Sequence, residues 1–257
     1  MRFVLLVLLG KVAAVAVGWA HPVCATILWL APDLLLAYQV LWPHAQGLVQ
    51  MPRRFRTSQA EVWLTIDDGP HPEDTPRILA LLAAHRARAT FFVIGERAAR
   101  HPGVIQAIVA GGHEVAHHTH THPLGTFWIA SPARVARELD MALDVLRSQG
   151  VRPTRFRPPA GIKNLWLAGA LRDRQLAAVG WSARGLEVNA TDAAAVADRV
   201  LRDVAPGAIL LLHEGPRLPA SIRVVAIGLV LARLEAAGYR CVVPEAGQLN
   251  EAGNPEN

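Results

Sequence analysis

The chain contains very few cysteines and lysines, and each shortage excludes a class of protein. Cys24 lies inside an apolar stretch and Cys241 near the far end of the sequence, so we expect no structural disulfide. Lys11 and Lys163 are the only lysines, and the formal net charge of +5 therefore comes largely from arginines. Because these arginines are scattered through helix-like segments and form no stripe with aromatic residues, we expect no nucleic-acid binding, despite a pI of about 10.0.

Charged residues are also scarce at the start of the chain. The 257 residues can form one large or two small domains with a substantial core. They are 52% hydrophobic with a mean hydropathy of +0.24, and the excess is concentrated between Phe3 and Trp42. Two segments there, FVLLVLLGKVAAVAVGWA and PVCATILWLAPDLLLAYQVLW, contain 18 and 21 residues, close to the ~20 that cross a bilayer as a helix.

We favour a helical hairpin in the membrane for these segments, with its turn at His21 and Pro22. A cleaved signal peptide with Arg2 as its charged end is an alternative, but a soluble domain would have no use for the second apolar segment. Lys11 and Asp33 each cost about 2.5–3.5 kcal/mol inside a bilayer, which leaves a single span or an interfacial segment as further alternatives.

Arginines flank the apolar region on both sides, with Arg2 before it and Arg53, Arg54 and Arg56 after it. The positive-inside rule therefore favours a cytoplasmic position for both flanks at a bacterial-type inner membrane, while a periplasmic position stays open. The chain is predicted to divide into a hydrophobic region forming a two-helix membrane anchor (1–50), a basic linker (51–60), a folded domain (61–245) and a polar tail (246–257).

From Glu61 onward, short β-branched or apolar runs alternate with stretches of helical period. The predicted strands are 62–66, 89–94, 113–117, 154–157, 176–181, 208–213 and 239–243. The predicted helices are 75–87, 97–110, 132–148, 164–174, 192–204 and 219–237. Seven strands separated by helices predict an α/β fold whose parallel sheet is closed, or nearly closed, into a barrel.

Unusual polar residues occur where these predicted strands end. Asp67 and Asp68 follow the first strand, HHTHTH the third and RPPAG the fourth, Arg184 comes just after the fifth, and His213 ends the sixth. In barrels of this kind the chemistry collects where strands end and helices begin. We therefore expect these residues to share one end of the barrel.

Four of the eleven histidines lie between positions 117 and 122. A polar loop with incidental histidines would explain this density, and so would a metal site. His118 and His122 are four positions apart, so one helical turn or tight loop presents both imidazoles to the same point. His117 and His120 would then face elsewhere, either behind the ligands or toward solvent.

The adjacent aspartates 67 and 68 are unusual because neighbouring side chains on a strand point to opposite faces and carboxylates repel each other. A solvated turn with an aspartate N-cap is the simple explanation. Beside two imidazoles, a carboxylate instead completes a metal site with open positions for water and substrate. One aspartate would bind the metal and its neighbour would accept a proton from the bound water, with the metal's charge offsetting the repulsion.

Together these motifs resemble the polysaccharide deacetylases with the NodB homology domain, carbohydrate esterase family 4. TIDDGP is similar to the family's first motif, which implies Asp67 as the base and Asp68 as a metal ligand. HTHTH is similar to the motif H-[S/T]-x-x-H, which implies His118 and His122 as the other ligands. The resemblance extends over about residues 61–243 and implies a distorted (β/α) barrel.

Two further motifs complete the resemblance. RPPAG resembles R-P-P-Y-G, which implies that Arg157 holds the catalytic aspartate. LLLH resembles the L-x-H motif, which implies Leu211 as a wall of the acyl pocket and His213 as the general acid. The implied cofactor is a divalent metal, usually zinc, with Co²⁺, Ni²⁺ or Mn²⁺ as alternatives.

The sequence departs from the family pattern at two places. Ala160 stands where most members carry an aromatic residue, although its backbone N–H can still donate to an oxyanion. WSARGLEV stands where the family often has W-S-x-D-x-x-D-W, so Trp181 is retained beside the acyl pocket while Arg184 and Glu187 replace the two aspartates. The first of those aspartates orients the acid histidine in the family, so here its support must come from elsewhere or the acid must be weaker.

The resemblance implies a metal-dependent hydrolase that removes an N-acetyl or N-formyl group from an amino sugar in a glycan or a lipid-linked saccharide. A membrane anchor favours the lipid-linked substrate, and Arg184 would then bind its phosphate and stop depressing the pKa of a nearby His213. Alternatively, Arg184 faces solvent or pairs with Glu187. A catalytically silent, membrane-anchored carbohydrate-binding module and a metal-dependent O-acetyl esterase are the other candidates.

Overall fold

The computed structural model describes residues 2–219 and 221–249. It begins with two helices, α1 (Arg2–Val17) and α2 (Pro22–Leu41), which pack against each other across a short turn. Lys11 of α1 forms an ion pair with Asp33 of α2, and its Nζ lies 4.5 Å from the centroid of the Trp29 ring. The two charges that are costly in an apolar layer therefore neutralise each other between the helices.

The outer surfaces of this hairpin are apolar because nearly every residue in it is apolar. Judged by length and composition, α2 is the one helix in the described part of the chain that can cross a membrane. With 16 residues, α1 is shorter than a full span.

The rest of the described chain is an α/β domain in which strands and helices alternate. Its strands are β1 (Glu61–Gly69), β2 (Ala89–Val93), β3 (Glu114–His117), β4 (Arg155–Phe156), β5 (Ala177–Ala178), β6 (Ala183–Arg184), β7 (Ile209–His213) and β8 (Arg240–Cys241). Its helices are α3 (Asp74–Ala84), α4 (Gly95–Arg100), α5 (Pro102–Ala110), α6 (Pro132–Ser148), α7 (Leu167–Asp173), α8 (Ala193–Leu201) and α9 (Arg223–Ala236).

Seven of these strands form a curved parallel sheet in the order β5-β4-β3-β2-β1-β7-β6, and β8 pairs with the start of β1. This arrangement confirms the predicted α/β barrel. The segment 51–55, predicted to begin a basic linker, packs beside β5 and β7. Met51 and Phe55 are buried, the Gly180 N–H donates to the Pro52 carbonyl, and Phe55 bonds to Gly207.

Some predicted elements differ in extent from the observed ones. The predicted helix 97–110 is two helices, α4 and α5, because Pro102 interrupts the helical hydrogen bonding after His101. The predicted strand 176–181 is regular only over β5, and the two-residue strand β6 was not predicted. Strands this short contain too few residues to show an alternating pattern.

Alternation along β1 places one set of side chains inside the barrel and the other under the helices. Val62, Leu64 and Ile66 belong to the layer between sheet and helices. Trp63 packs inside, where it belongs to the same cluster as Phe92 and Leu211. The interior is thus filled with side chains, and chemistry is confined to the end of the barrel at which the strands terminate.

Candidate active site

The end of β1 explains how two adjacent aspartates come to face the same place. Asp67 continues the inward series of Trp63 and Thr65 and pairs in register with His213 of β7. The pairing with β2 then shifts between Asp67 and Gly69, and Asp68 has a φ of 70°. Such a bulge re-aims one side chain. In a regular strand, Asp68 would point away from the site. The bulge turns its side chain back toward Asp67 and the site.

Asp68, His118 and His122 form a cluster whose ligand atoms all lie within 4.8 Å of one another. Oδ1 of Asp68 is 3.5 Å from Nε2 of His118 and 3.3 Å from Nε2 of His122. Two ligands bound tetrahedrally to zinc at ~2.1 Å are about 3.4 Å apart. The spacing therefore fits a single small cation between the three side chains.

The hydrogen bonding of this cluster also fits a cation. Nδ1 of His118 lies 2.7 Å from the carbonyl oxygen of Arg157, which can only accept, so Nδ1 is the donor of this bond and Nε2 faces the cluster. Oδ1 of Asp68 is buried and has no hydrogen-bond partner among the described residues. A buried carboxylate oxygen without a donor is rare, and a bound metal would satisfy it.

The pKa values of Asp68 and His122 both favour the protonation state that a metal ligand needs. Burial opposes ionisation of Asp68, but the His118 ring and the charges of His122 and His213 outweigh it and hold the pKa of Asp68 well below its usual range. Burial, followed by the charge of His118, lowers the pKa of His122 to about 3. At neutral pH the site therefore presents an ionised carboxylate and a neutral imidazole.

The loop that presents the two histidines is held from behind. Thr119 and His122 both have positive φ, 64° and 54°, a strained conformation that needs support. Glu138 of α6 is buried and accepts hydrogen bonds from the His120 N–H at 3.0 Å and the Thr121 N–H at 2.9 Å. The ring of His117 accepts from the Thr119 N–H at 3.0 Å.

His117 and His120 lie away from the metal ligands, in the interior and not at the surface. Nε2 of His117 lies 2.9 Å from the Leu139 carbonyl oxygen, and burial lowers the pKa of this histidine to about 4. Nδ1 of His120 lies 2.6 Å from the place that a Cβ on Gly95 would occupy. The loop therefore packs closely against the start of α4, where a glycine is required.

Arg157 is completely buried and links the two halves of this arrangement. Its Nη1 donates to Oδ1 of Asp67 at 2.7 Å and to the Thr65 hydroxyl at 2.8 Å. Its Nη2 donates to the Gly180 carbonyl at 2.8 Å, and the guanidinium lies 4.2 Å from the Phe92 ring centroid. Together with its backbone bond to His118, this residue positions Asp67 and a member of the Asp68–His118–His122 cluster at once.

His213 lies beside Asp67 on the neighbouring strand and is held by Glu187. Both carboxylate oxygens of Glu187 lie 3.2 Å from Nδ1 of His213, and Oε1 also accepts from the His213 backbone N–H at 2.9 Å. Burial favours the neutral ring, but the hydrogen bond and the charge of Glu187 outweigh it and raise the pKa of His213 to about 9. His213 is therefore protonated at neutral pH, as a general acid requires.

The Glu187 carboxylate reaches His213 because the preceding turn makes room for it. Leu186 has a φ of 55°, and a Cβ on Gly185 would lie 2.7 Å from the carboxyl carbon of Glu187. The sequence places Glu187 at the second of two replaced aspartates, and it predicts that the support of His213 comes from elsewhere or that the acid is weaker. Only the three-dimensional turn shows that Glu187 itself provides it.

Arg184 is exposed at the end of β6, opposite Leu211 in the sheet register. Its charge contributes, after burial and Arg53, to lowering the pKa of His44, a ring that packs edge-on against Trp181. The charge of Arg184 thus acts on His44, while His213 is paired with Glu187.

The remaining predicted residues border this site. Leu211 and Trp181 are both buried and belong to one apolar cluster inside the barrel. Ala160 is exposed, with a φ of 52° and a ψ of 16°, in the 3-10 turn Pro159–Gly161. The ring of Trp181 would be 2.7 Å from a Cβ on Gly161, so the turn that carries Ala160 packs directly on Trp181.

Two arginines beside the Asp68–His118–His122 cluster were not singled out from the sequence. Arg97 donates a hydrogen bond to the backbone carbonyl of Asp68, and Nη1 of Arg217 lies 3.4 Å from Nδ1 of His122. Neither belongs to one of the motifs, and both come from segments that reach the site only after folding. Their positive charges favour an anionic group near the cluster.

Comparisons with known proteins agree with this arrangement. The sequence model of the family described as polysaccharide deacetylase matches residues 55–179. A chitooligosaccharide deacetylase of Rhizobium leguminosarum bv. phaseoli is 41% identical over 162 residues, which cover 62% of this chain and 70% of that protein. A peptidoglycan-N-acetylglucosamine deacetylase of Bacillus cereus is 32% identical over 187 residues, which cover 72% of this chain and 67% of that protein.

A solved structure shows the same fold. The family 4 carbohydrate esterase from Streptomyces lividans, determined in complex with acetate, is 28% identical with a TM-score of 0.66, over 74% of this chain and 95% of that one. Identity, coverage and fold lead to one conclusion: the chain belongs to the polysaccharide deacetylase family, carbohydrate esterase family 4.

Proposed function

We propose that the protein is a metal-dependent hydrolase that removes an N-acetyl or N-formyl group from an amino sugar. The observation that supports this most directly is the division of the two aspartates. Asp67 is tied to Arg157 at 2.7 Å, whereas Asp68 is grouped with His118 and His122. A protein that only binds sugar has no use for a base held beside a metal-binding carboxylate.

Asp68, His118 and His122 would hold the metal, and their nitrogen and oxygen donors suit zinc, with Co²⁺, Ni²⁺ or Mn²⁺ as alternatives. When bound, a divalent cation supplies Lewis acidity to the acyl carbonyl and lowers the pKa of water. The remaining chemistry belongs to side chains of this chain.

Asp67 accepts the proton of the attacking water as the carbon–oxygen bond forms. The hydrogen bond from Arg157 holds its carboxylate in place during this transfer, and the Thr65 hydroxyl accepts a second hydrogen bond from the same Arg157 nitrogen. His213, which is protonated at neutral pH, then gives its proton to the amine nitrogen as the carbon–nitrogen bond breaks. Without that proton the tetrahedral adduct would expel the better leaving group and return to substrate.

The acyl group is proposed to lie between Leu211 and Trp181, where the apolar surface accepts a small acyl chain. The Ala160 backbone N–H is the proposed donor to the oxyanion. Because Ala160 has no ring, this side of the sugar site is more open than an aromatic residue would leave it.

The proposed substrate class is an N-acylated amino sugar, following the chitooligosaccharide and peptidoglycan N-acetylglucosamine named for the relatives. We place the protein at a membrane because α2 is long and apolar enough to span it and the hairpin surface is apolar. A lipid-linked amino sugar is the form of this substrate that such a protein meets most readily.

Elemental analysis of the purified protein, combined with deacylation assays on N-acetyl and N-formyl sugars and O-acetyl sugars, tests the proposal. We expect about one divalent metal ion per chain and release of the acyl group from nitrogen. Stoichiometric metal with sugar binding but no release from any substrate would show a silent binding module, and release only from oxygen would show an esterase.

A further inference from the structure

A groove lies between the hairpin and the loops at the active-site end of the barrel. It encloses about 360 Å³, within the ~300–1,000 Å³ typical of ligand sites. One wall is the last part of α2, and the other is formed by the loops after β3 and β4. The principal side chains are Ala37, Val40, Leu41, Trp128, Ile129 and Trp166. We call this the hairpin groove.

Hydrogen bonds join both walls of the hairpin groove to one another. Lys163, three positions after Ala160, donates its backbone N–H to the Val40 carbonyl at 2.8 Å and its Nζ to the Trp42 carbonyl at 2.6 Å. Asn164 donates to the Ala130 carbonyl at 2.9 Å. The end of α2 is therefore attached to the turn that carries Ala160.

The turn that carries Ala160 connects the hairpin groove with the proposed acyl site. A Cβ on Gly161 would lie 2.8 Å from Pro43, just after α2, and 2.7 Å from the Trp181 ring. The loop that contains Trp128 is the continuation of the chain from the metal ligand His122. A molecule with its sugar at the metal ligands can thus extend its other end into the groove.

The hairpin groove lies near the C-terminal end of α2, and this position indicates which kind of molecule binds there. With 20 residues α2 is about 30 Å long, and Asp33–Leu41 at its end line the groove. Trp128, Ile129 and Trp166 lie alongside this end and are 45%, 61% and 46% exposed. Exposed tryptophans level with the end of a spanning helix are typical of the membrane interface.

We propose that the hairpin groove binds the hydrocarbon chain of a lipid-linked, N-acylated amino sugar, so that the sugar is deacylated at the membrane surface. This inference rests on the proposed deacylase function. It adds that the protein recognises its substrate by the hydrocarbon chain. The apolar walls are continuous with the outer surface of α2, so a lipid chain enters from the bilayer without crossing water. A soluble oligosaccharide has no group that would fill these walls.

The test compares two glycosides with the same headgroup: methyl N-acetylglucosaminide and a long-chain alkyl N-acetylglucosaminide. Full-length protein is reconstituted in phosphatidylcholine vesicles with its metal. Ala37→Trp fills the groove, and Ala31→Trp places the same ring on an exposed position of α2 outside the groove. Trp166→Ala, which widens the groove, provides a second variant should Ala37→Trp fail to fold.

For the long-chain glycoside we expect Ala37→Trp to lower kcat/KM by roughly tenfold or more, because each methylene group kept out of an apolar site weakens binding about fourfold. Trp166→Ala should raise KM for the same substrate. Both variants should deacylate the methyl glycoside like the unmodified protein, and Ala31→Trp should match it on both substrates.

Three results would overturn the inference. Equal losses of kcat/KM on both glycosides would show that Ala37→Trp acts on the sugar site. No loss on either glycoside would show that the groove does not bind the alkyl chain. A change in oligomeric state that accounts for the loss would identify a second copy of the chain as the occupant. If the metal-loaded, unmodified protein deacylates neither glycoside, the proposed function itself fails, a result distinguishable from the other three.

Discussion

The two halves of the candidate active site are supported in different ways. The proposed base side comprises Asp67, Asp68, His118, His122 and Arg157, and several buried groups from different strands and helices hold it. The proposed acid side comprises His213 and Glu187, and among the described residues the Glu187 carboxylate is the hydrogen-bond partner of the His213 ring. A half with many supports tolerates the loss of one of them, whereas a half with a single support does not.

Local sequence reflects this difference. The residues of the base side occur in three short motifs that match the family pattern, at the end of β1, after β3 and after β4. The acid side joins β7 to a turn in another part of the chain, which depends on a left-handed Leu186 and on the absence of a side chain at Gly185. Substitutions on the two sides should therefore differ in size and in kind.

Loss of a metal ligand should have the largest effect. His118→Ala or His122→Ala removes one of three grouped donors, so metal content and deacylation should fall together to background. His120→Ala is the matched control from the same loop, and it should keep most of its metal because its ring faces Gly95. Elemental analysis and activity would be measured on the same preparations. Metal loss in His120→Ala with retention in His118→Ala would refute the ligand assignment.

The two aspartates should separate cleanly. Asp67→Asn should lower kcat by about 10²–10⁴ while metal stays bound, because an amide cannot act as a base and Asp67 is not among the grouped ligands. Asp68→Asn should lower metal affinity first. Metal titration of both variants, followed by assays at saturating metal, checks this division. Equal weakening of metal binding in the two would contradict it.

A substitution on the acid side should change the pH dependence of activity. As the proposed acid, His213 must be protonated to act, so activity should fall as pH rises through its pKa. Burial lowers this pKa, but Glu187 and, after it, the charges of Asp67 and Asp68 raise it from the ordinary 6.5 to about 9. Glu187→Gln removes the charge, and the falling limb of kcat/KM should move to lower pH by at least ~1 unit. Glu138→Gln, a buried support of the base side, should leave that limb in place. An unshifted limb in Glu187→Gln would assign the limb to another group.

The same pair links stability to pH. Because the folded-state pKa of His213 lies above its unfolded value, the pair stabilises the fold fully below about pH 6.5, and this contribution is lost as pH rises through about 9. Glu187→Gln should therefore show a smaller loss of stability than the unmodified protein over this interval. Denaturant unfolding at pH 6 and pH 9 would measure it.

The smallest expected effect concerns Arg184. If it binds phosphate, Arg184→Ala should cost about 1.5–3 kcal/mol of transition-state stabilisation on a phosphorylated, lipid-linked substrate and little on a neutral N-acetyl oligosaccharide. Arg172→Ala, on α7, is a control for loss of a surface charge. Comparison of kcat/KM for the two substrates measures the difference. Equal losses, or none, would leave Arg184 outside the site and favour neutral glycans.

Much of the fold followed from the alternation of apolar runs and helical stretches, and the α/β barrel was predicted correctly. Element boundaries were predicted less accurately: α4 and α5 were predicted as one helix, and β6 was not predicted. Strands of two residues are defined by their partners, so their own sequence contains little that distinguishes them.

The sequence by itself determined which residues make up the candidate site, because Asp67, Asp68, His118 and His122 lie in short motifs at strand ends, which a parallel sheet gathers at one edge. Tertiary structure alone decided how those groups are supported and what surrounds them. The bulge that turns Asp68, the contact of Glu187 with His213 and the attachment of Lys163 to the end of α2 each join segments distant in the chain or depend on neighbouring strands. Such contacts depend on the packed fold, since no local propensity specifies which distant segment a side chain will meet.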